Sequence, residues 1–187
     1  MKNLISILTI FILLITACKA QQPIAKISEG KIKVSGETFN VKKDNNKLTV
    51  IRNVTNKLSD VEQYAPHLPQ EARVNYHMTV DKKLLTKICA DAIPLSTLRK
   101  LPIGANGFLL LISKVNPLGA ILEIKFVLES NSLLTLNELQ EIEEKLKSAQ
   151  FKIKFDKEIQ HYIKDANYFP IDLYVSYADM LKAKEGN

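Results

Sequence analysis

The 187-residue chain is long enough for one domain with a single buried core, and 46% of its residues are hydrophobic. Its net charge of +6 comes almost entirely from lysines spread along the chain, because arginine occurs only as Arg52, Arg73 and Arg99. Recognition of nucleic acid favours clustered arginine beside aromatic platforms. The composition therefore predicts no nucleic-acid partner.

Residues 1–17 have the features of a signal peptide. Lys2 supplies a positive charge, and the apolar run from Leu4 to Ile15 is interrupted only by Ser6 and Thr9. That run is shorter than the about 20 apolar residues that a membrane-spanning helix needs. A charged start, a short apolar core and a boundary of small residues predict export.

The residues Leu14-Ile15-Thr16-Ala17-Cys18 resemble a bacterial lipobox. The resemblance implies that Cys18 is diacylated, becomes the first residue of the mature protein and attaches it to a membrane. The residue after Cys18 is Lys19 rather than Asp, and this resembles lipoproteins sorted to the outer membrane. We therefore expect an exported protein anchored at the periplasmic or outer face of a membrane, with the outer membrane favoured.

A second cleavage site is compatible with the same segment. Ordinary signal peptidase would cut after Ala20, with Cys18 and Ala20 as the small residues at positions −3 and −1. The product would be a soluble periplasmic or secreted protein.

Removal of the signal peptide leaves 170 residues, which fit one domain. We expect a tether over 18–29, a domain over 30–180 with a possible internal boundary near 65–70, and a tail over 181–187. Cys89 is the only cysteine besides Cys18 and lies in an apolar stretch, so it is predicted to be a core residue. The alternative, a catalytic thiolate, requires a neighbouring base.

The first half of the chain begins with turn-separated β-like runs, which predict a meander. The runs are 31–34, 38–41 and 47–53. Ser59 and Glu62 have the spacing of a capping box and predict a short helix before Pro66. Residues 73–80 alternate in polarity and predict a half-buried strand, and Asp81 is placed to cap a helix that runs to about Ala92.

The second half predicts two strands, 107–113 and 120–129, around the turn formed by 116–119. Thr135 and Glu138 form a capping box at the start of an amphipathic helix that reaches Ala149. A strand over 151–155, a helix over 156–165 and a strand over 171–177 follow. The fold class is therefore a single α+β domain, mostly antiparallel sheet with amphipathic helices packed on one face, preceded by a signal peptide.

The order hairpin, helix, strand over 107–155 resembles the C-terminal domain of TonB-type energy-transduction proteins. The residues that carry the resemblance are the turn Gly119, the alternating run Ile121–Leu128 and the helix Leu136–Ala149. The resemblance implies recognition of a protein partner by strand addition at an exposed sheet edge. The chain lacks the Pro-rich segment of those proteins, and its N-terminus is expected to be cleaved.

No catalytic, cofactor-binding or metal-binding residue is predicted. The histidines are His67, His77 and His161, and His161 with Asp165 has helical spacing but no third ligand. Glu138, Glu141, Glu143 and Glu144 are predicted to form the solvated face of their helix rather than a pair of catalytic carboxylates. The sequence contains no Gly-x-Ser-x-Gly elbow and no dinucleotide fingerprint.

We therefore expect a non-enzymatic cell-envelope interaction or accessory module that binds a protein partner. Tyr174 and Ser176, if both face outward on the last strand, are candidates for the partner surface. The alternatives are a hydrolase acting on an envelope polymer and a small-ligand carrier. A cleft with a histidine and a carboxylate would favour the hydrolase. An enclosed apolar pocket would favour the carrier, and an uncovered sheet edge would favour the binding module.

Overall fold

The computed structural model describes residues 21–44, 47–69, 72–104 and 107–186. The predicted signal peptide, Cys18 and Ala20 lie outside the described residues. The strands are β1 (Gly30–Val34), β2 (Glu37–Lys43), β3 (Leu48–Asn53), β4 (Met78–Thr79), β5 (Phe108–Val115), β6 (Ile121–Glu129), β7 (Lys154–Phe155) and β8 (Phe169–Ser176). The helices are α1 (Lys82–Ala92), α2 (Leu95–Leu98), α3 (Leu136–Lys147), α4 (Lys157–Ile163) and α5 (Tyr177–Glu185).

Six strands form one sheet in the order β1-β2-β3-β6-β5-β8, and every neighbouring pair is antiparallel. β4 and β7 form a separate two-stranded sheet. Helix α1 packs on both α3 and α5, and all three helices pack against the six-stranded sheet. The predicted α+β class, with a mostly antiparallel sheet, is confirmed.

The core lies between the sheet and these helices. Alternate residues of β5 and β8 are buried, as expected for strands with one covered face, among them Leu109, Leu111, Leu173 and Val175. Leu139, Ile142 and Leu146 of α3 are fully buried at helical spacing. The capping box at Thr135 and Glu138 is present as predicted, and Asp81 Oδ1 accepts the Leu84 amide at the start of α1.

Part of the segment expected to be a tether is docked on the domain. Ile24 and Ile27 are buried in the core. The Ile24 amide donates to the Leu134 carbonyl at 2.8 Å, and the Ala25 amide donates to the Ser132 carbonyl at 3.0 Å. Within the described residues, contact with the domain therefore begins at Pro23, inside the expected tether.

Two predicted elements of the first half are wrong. Residues 74–77 form a 3₁₀ turn, and only Met78–Thr79 is strand, because β4 finds a partner over just these two residues. Tyr76, which lies on the apolar side of that alternation, is largely exposed. The helix predicted after Ser59 is only the 3₁₀ turn Leu58–Asp60.

The end of the chain also differs from the prediction. Residues expected to be the end of a strand and a tail form the helix α5, which packs against α1. Ser176 Oγ accepts the Asp179 amide at 3.3 Å and so caps this helix. Within the four described ranges, no helix has both the length and the apolar character that crossing a membrane requires.

Candidate functional site

A row of apolar side chains crosses the sheet face opposite the helices. Val50 of β3 pairs with Val127 of β6, Val127 with Leu110 of β5, and Leu110 with Tyr174 of β8. Side chains at directly paired positions lie on the same face, so these four residues form one continuous row, here called the outer-face row. Tyr174 ends the row at the sheet edge and is 61% exposed.

The residues next to the outer-face row make this part of the face amphipathic. Phe108 lies beside the row, with its ring centroid 5.4 Å from that of Tyr174 in an edge-to-face arrangement. The neighbouring row carries charge at both ends, in the order Arg52, Lys125, Ile112 and Asp172. An apolar strip bordered by charged groups is the kind of surface that binds a protein partner.

One end of the outer face is covered by the chain itself. The Lys114 ammonium donates to the Leu58 carbonyl and lies 4.1 Å from the centroid of the Tyr168 ring. The carboxylate of Glu123 accepts the Leu58 amide at 2.8 Å. The loop after β3 therefore closes this end, and the outer-face row lies beyond it.

The strand β8 is the outermost strand on this side of the sheet. The Tyr177 amide donates to the Gly107 carbonyl at 2.9 Å, in register with the pairing of Phe108 and Ser176. Hydrogen-bonded pairs alternate along an antiparallel ladder, so residues 171, 173 and 175 bond to β5. The backbone groups of Asp172 and Tyr174 therefore point away from the sheet.

This edge is open along most of β8. Leu68 and residues 72–76 line a concavity with Phe169 and Pro170 at the start of the strand. Beyond Pro170, no backbone group within the described ranges bonds to the outward groups of Asp172 and Tyr174. A strand edge of this kind is a template for an added strand.

Tyr174 and Ser176, the candidate partner-surface residues, have different environments. Tyr174 is exposed at the junction of the outer-face row and the β8 edge. Ser176 is half-buried, and its hydroxyl caps α5. The rest of the outer-face row was not predicted to be a site, although the unbroken apolar run Phe108–Ile112 is the signal of a strand that is apolar on both faces.

The prediction that all four glutamates of α3 are solvated is wrong for two of them. Glu138 is buried in the capping box, and Glu143 is only 2% exposed. Glu143 pairs with Lys147 at 2.5 Å and lies close to Glu37 and Asn53. The Glu143 side chain points toward the sheet, where its polar neighbours are Asn53 and Glu37.

Burial raises the pKa of the Glu143 carboxyl above its usual value. Glu37 adds to this effect, while the Lys147 ammonium and the Asn53 amide oppose it by stabilising the carboxylate. The Asn53 amide also donates to Glu37. Because the Glu143 side chain is covered by its own helix and the sheet, a substrate has no access to it, and its contacts are structural.

Two of the three histidines, His67 and His77, each pair with one carboxylate on the surface. His67 Nε2 lies 3.0 Å from Asp165, and His77 Nδ1 lies 3.9 Å from Asp156. Asp165 therefore pairs with His67 and not with His161, the residue to which it is related by helical spacing. No group of three or more His, Cys, Asp or Glu side chains in the described ranges is arranged to hold a metal ion.

Cys89 is fully buried in α1, and burial raises the pKa of its thiol to about 12. The thiolate is the reactive form, so we expect a thiol reagent at pH 8 to leave Cys89 unmodified in the native protein. Addition of urea should release the thiol at the rate of unfolding. Rapid labelling of the native protein, followed by absorbance, would contradict the assignment of Cys89 to the core.

An open groove lies at the opposite end of the sheet from residues 129–135. Its volume is about 880 Å³, and Pro117, Leu118, Ile153, Phe155, Ile163 and Ala166 give it apolar walls. Four lysines border it, namely Lys152, Lys154, Lys157 and Lys164. The groove is open to solvent, unlike the enclosed pocket that a small-ligand carrier requires.

The comparisons with known proteins find a similar fold among the solved structures. No protein-family model matches the chain, and no curated protein sequence matches it. The crystal structure of a DUF5043 family protein from Bacteroides uniformis ATCC 8492 is similar, with a TM-score of 0.63 and 19% sequence identity. The similarity covers 83% of this chain and 88% of the other. The match shows the fold.

The matched protein belongs to a bacterial family of uncharacterised function, so the similarity carries no activity to this chain. It also gives no support to the resemblance of 107–155 to a TonB-type domain. Within the structure, the strand that follows α3 is the short β7, which pairs with β4 and not with the hairpin of β5 and β6.

Proposed function

We propose that this protein is a cell-envelope interaction module, anchored to a membrane by a lipid on Cys18, that binds a protein partner through the outer-face row and the β8 edge. The observation that carries the proposal is the meeting of two surfaces at Tyr174. There an apolar row across four strands ends at the strand edge whose backbone groups point outward.

Strand addition explains why both features occur together. An added strand takes its hydrogen bonds from the outward groups of Asp172 and Tyr174 and lays alternate side chains on the outer face. Those side chains extend the outer-face row by one strand beside the Tyr174 ring. Main-chain bonds then supply affinity, and the row with its charged borders supplies specificity.

The proposed location follows from the signal segment. Export with acylation of Cys18 places the domain at the periplasmic or outer face of a membrane, and Lys19 favours the outer membrane. Cleavage after Ala20 is the competing proposal and gives a soluble periplasmic or secreted protein.

Site-specific photocrosslinking in the native host tests the partner surface. We expect a crosslinking residue in place of Tyr174 to give a discrete adduct with one envelope protein. The matched control is a crosslinking residue in place of Leu118, which is also highly exposed but lies in the β5–β6 turn at the far end of the sheet. Absence of an adduct at Tyr174, or equal adducts at both positions, would contradict the proposal.

The purified partner then allows a quantitative test. We expect Tyr174→Ala to weaken binding by at least about tenfold, because a buried aromatic anchor contributes on the order of 2 kcal/mol to an interface. Tyr162→Ala on α4 is the control for loss of an exposed tyrosine. Titration calorimetry measures both affinities, and thermal unfolding should be unchanged in both variants.

A further inference from the structure

The first described residues lie at the end of the sheet that carries the β6–α3 loop. Pro23 forms an isolated bridge with Thr135, and the next two amides bond to the carbonyls of Leu134 and Ser132. The facing ends of β2 and β3 and residues 100–104 lie at this same end, because Lys43, Leu48, Glu129 and Phe108 are neighbouring strand termini. We call it the anchor-side end, comprising the described residues 21–29, 43–44, 47–48, 100–104 and 129–135.

The spacer between the proposed lipid and the fold is short. Pro23 is the fifth residue after Cys18, so an extended chain between them spans at most about 17 Å. The eight residues of β5 alone are about 26 Å long. An acyl chain on Cys18 therefore brings the anchor-side end to the bilayer surface and leaves the turn at Leu118 beyond its reach. This step depends on the proposed acylation of Cys18.

Apolar side chains protrude from the anchor-side end. Ile103 is 64% exposed, and Leu48 and Leu133 are each 37% exposed. Pro102 and Leu133 line one concavity, so the Ile103 loop and the β6–α3 loop are neighbours. Isolated apolar side chains on loops at one end of a domain are suited to shallow insertion among lipid headgroups.

Lysines accompany these apolar side chains. Ala25 lies in one concavity with Lys43, Lys47 and Leu48, and Gln22 lies in another with Lys26, Lys31 and Lys33. Lys100 lies beside Leu133. The acidic residues of this end are Glu29, Asp44 and Glu129, and the Glu29 carboxylate accepts the Lys43 amide. Within the anchor-side end the four lysines, Lys26, Lys43, Lys47 and Lys100, outnumber these three carboxylates, and a net positive charge favours an anionic surface.

We propose that the anchor-side end rests on an anionic phospholipid surface, with Ile103 and Leu133 entering the headgroup layer and the lysines contacting lipid phosphates. The contact orients the domain so that the outer-face row and the β8 edge stand beside the membrane rather than against it. The anchored protein then presents one fixed surface to its partner.

A fluorescent label that responds to polarity tests the contact in the full-length processed protein. The variants Ile103→Cys and Leu118→Cys are labelled, since the native Cys89 is buried and unreactive. Each protein is reconstituted in vesicles of phosphatidylcholine with phosphatidylglycerol, and in phosphatidylcholine alone. We expect the label at residue 103 to be shielded from an aqueous quencher, most strongly in the anionic vesicles, and the label at residue 118 to remain accessible.

Removal of lysine charges at the anchor-side end distinguishes an electrostatic contact with lipid from mere closeness of the label to the membrane. With Lys43, Lys47 and Lys100 changed to Gln, we expect the ratio of shielded to accessible label at residue 103 to fall about fivefold per lysine in anionic vesicles. The control changes Lys152, Lys154 and Lys157 to Gln at the opposite end and should leave the ratio unchanged.

Equal accessibility of the two labels would overturn the proposal, and so would shielding of the label at residue 118 alone. The intact mass of each labelled protein shows independently whether it carries acyl chains. Failure of the proposed anchor is therefore distinguished from failure of the lipid contact.

Discussion

Replacement of Gly119 by alanine is expected to reduce the free energy of unfolding by about 3 kcal/mol. Gly119 has a φ of +82°, and a Cβ added there would lie 1.8 Å from the carbonyl oxygen of Ile153. The Ile153 amide also donates to the Gly119 carbonyl at 2.9 Å. The substitution therefore strains the turn and separates two backbones that pack directly together. Urea denaturation measures the loss.

The control for this prediction is Gly36→Ala. Gly36 also has a positive φ, +96°, but an added Cβ there meets no atom within 4 Å. We expect its loss to be only about 1 kcal/mol, which is the cost of the left-handed backbone alone. Equal losses in the two variants would show that the contact between Gly119 and Ile153 has no energetic role.

Replacement of Lys147 by methionine is expected to destabilise the protein by about 3 kcal/mol at pH 7. The Lys147 ammonium is the charged partner of Glu143, which is buried between α3 and the sheet. Methionine keeps the length and apolar stem of the lysine side chain but leaves the Glu143 carboxylate without its counter-charge. Denaturation at several pH values measures the effect.

The pH dependence of this loss distinguishes a charge effect from a packing effect. Burial raises the folded-state pKa of Glu143 above 4.5, so the folded state binds more protons than the unfolded state between 4.5 and that raised pKa. The contribution of Glu143 to stability is therefore complete below pH 4.5 and is lost as the pH rises through the folded-state pKa. Without Lys147 that pKa rises further, so the difference from wild type should shrink as the pH falls toward 4.5.

The matched variant Glu143→Gln removes the buried charge and keeps the side-chain shape. We expect a change below about 1 kcal/mol, because Lys147 is partly exposed and its ammonium reaches water. A loss in Lys147→Met that is the same at acid and neutral pH would contradict the account of Glu143.

Local signals in the sequence predict the second half of the fold well. The turn 116–119 is confirmed by Asn116 Oδ1, which accepts the amides of Leu118 and Ala120. The capping box at Thr135 and Glu138 is confirmed by reciprocal bonds. Both features depend on residues within four positions of each other, so a short stretch of sequence contains all of their causes.

Elements that depend on distant partners are predicted less well. The alternation over 73–80 is typical of a strand, but β7 offers only two paired residues, so the preceding segment closes into a turn. The final helix has a local signal, because Ser176 and Asp179 have the spacing of an N-cap. The alternating pattern of the preceding strand continues to Tyr177 and obscures this signal.

The candidate site was predictable only in part. Alternation on the last strand predicts that Tyr174 faces away from the core, and it does. The outer-face row requires the register between four strands, which a single sequence does not contain. The burial of Glu143 likewise depends on where the sheet places Asn53 and Glu37, since the helix pattern alone assigns Glu143 to the polar face.

The intact mass of the mature protein, isolated from the membrane and soluble fractions of its native host, tests the proposed anchored module most directly. The account predicts a membrane-bound protein that begins at Cys18 and carries acyl chains. A soluble protein that begins at Gln21 without acyl chains would contradict it.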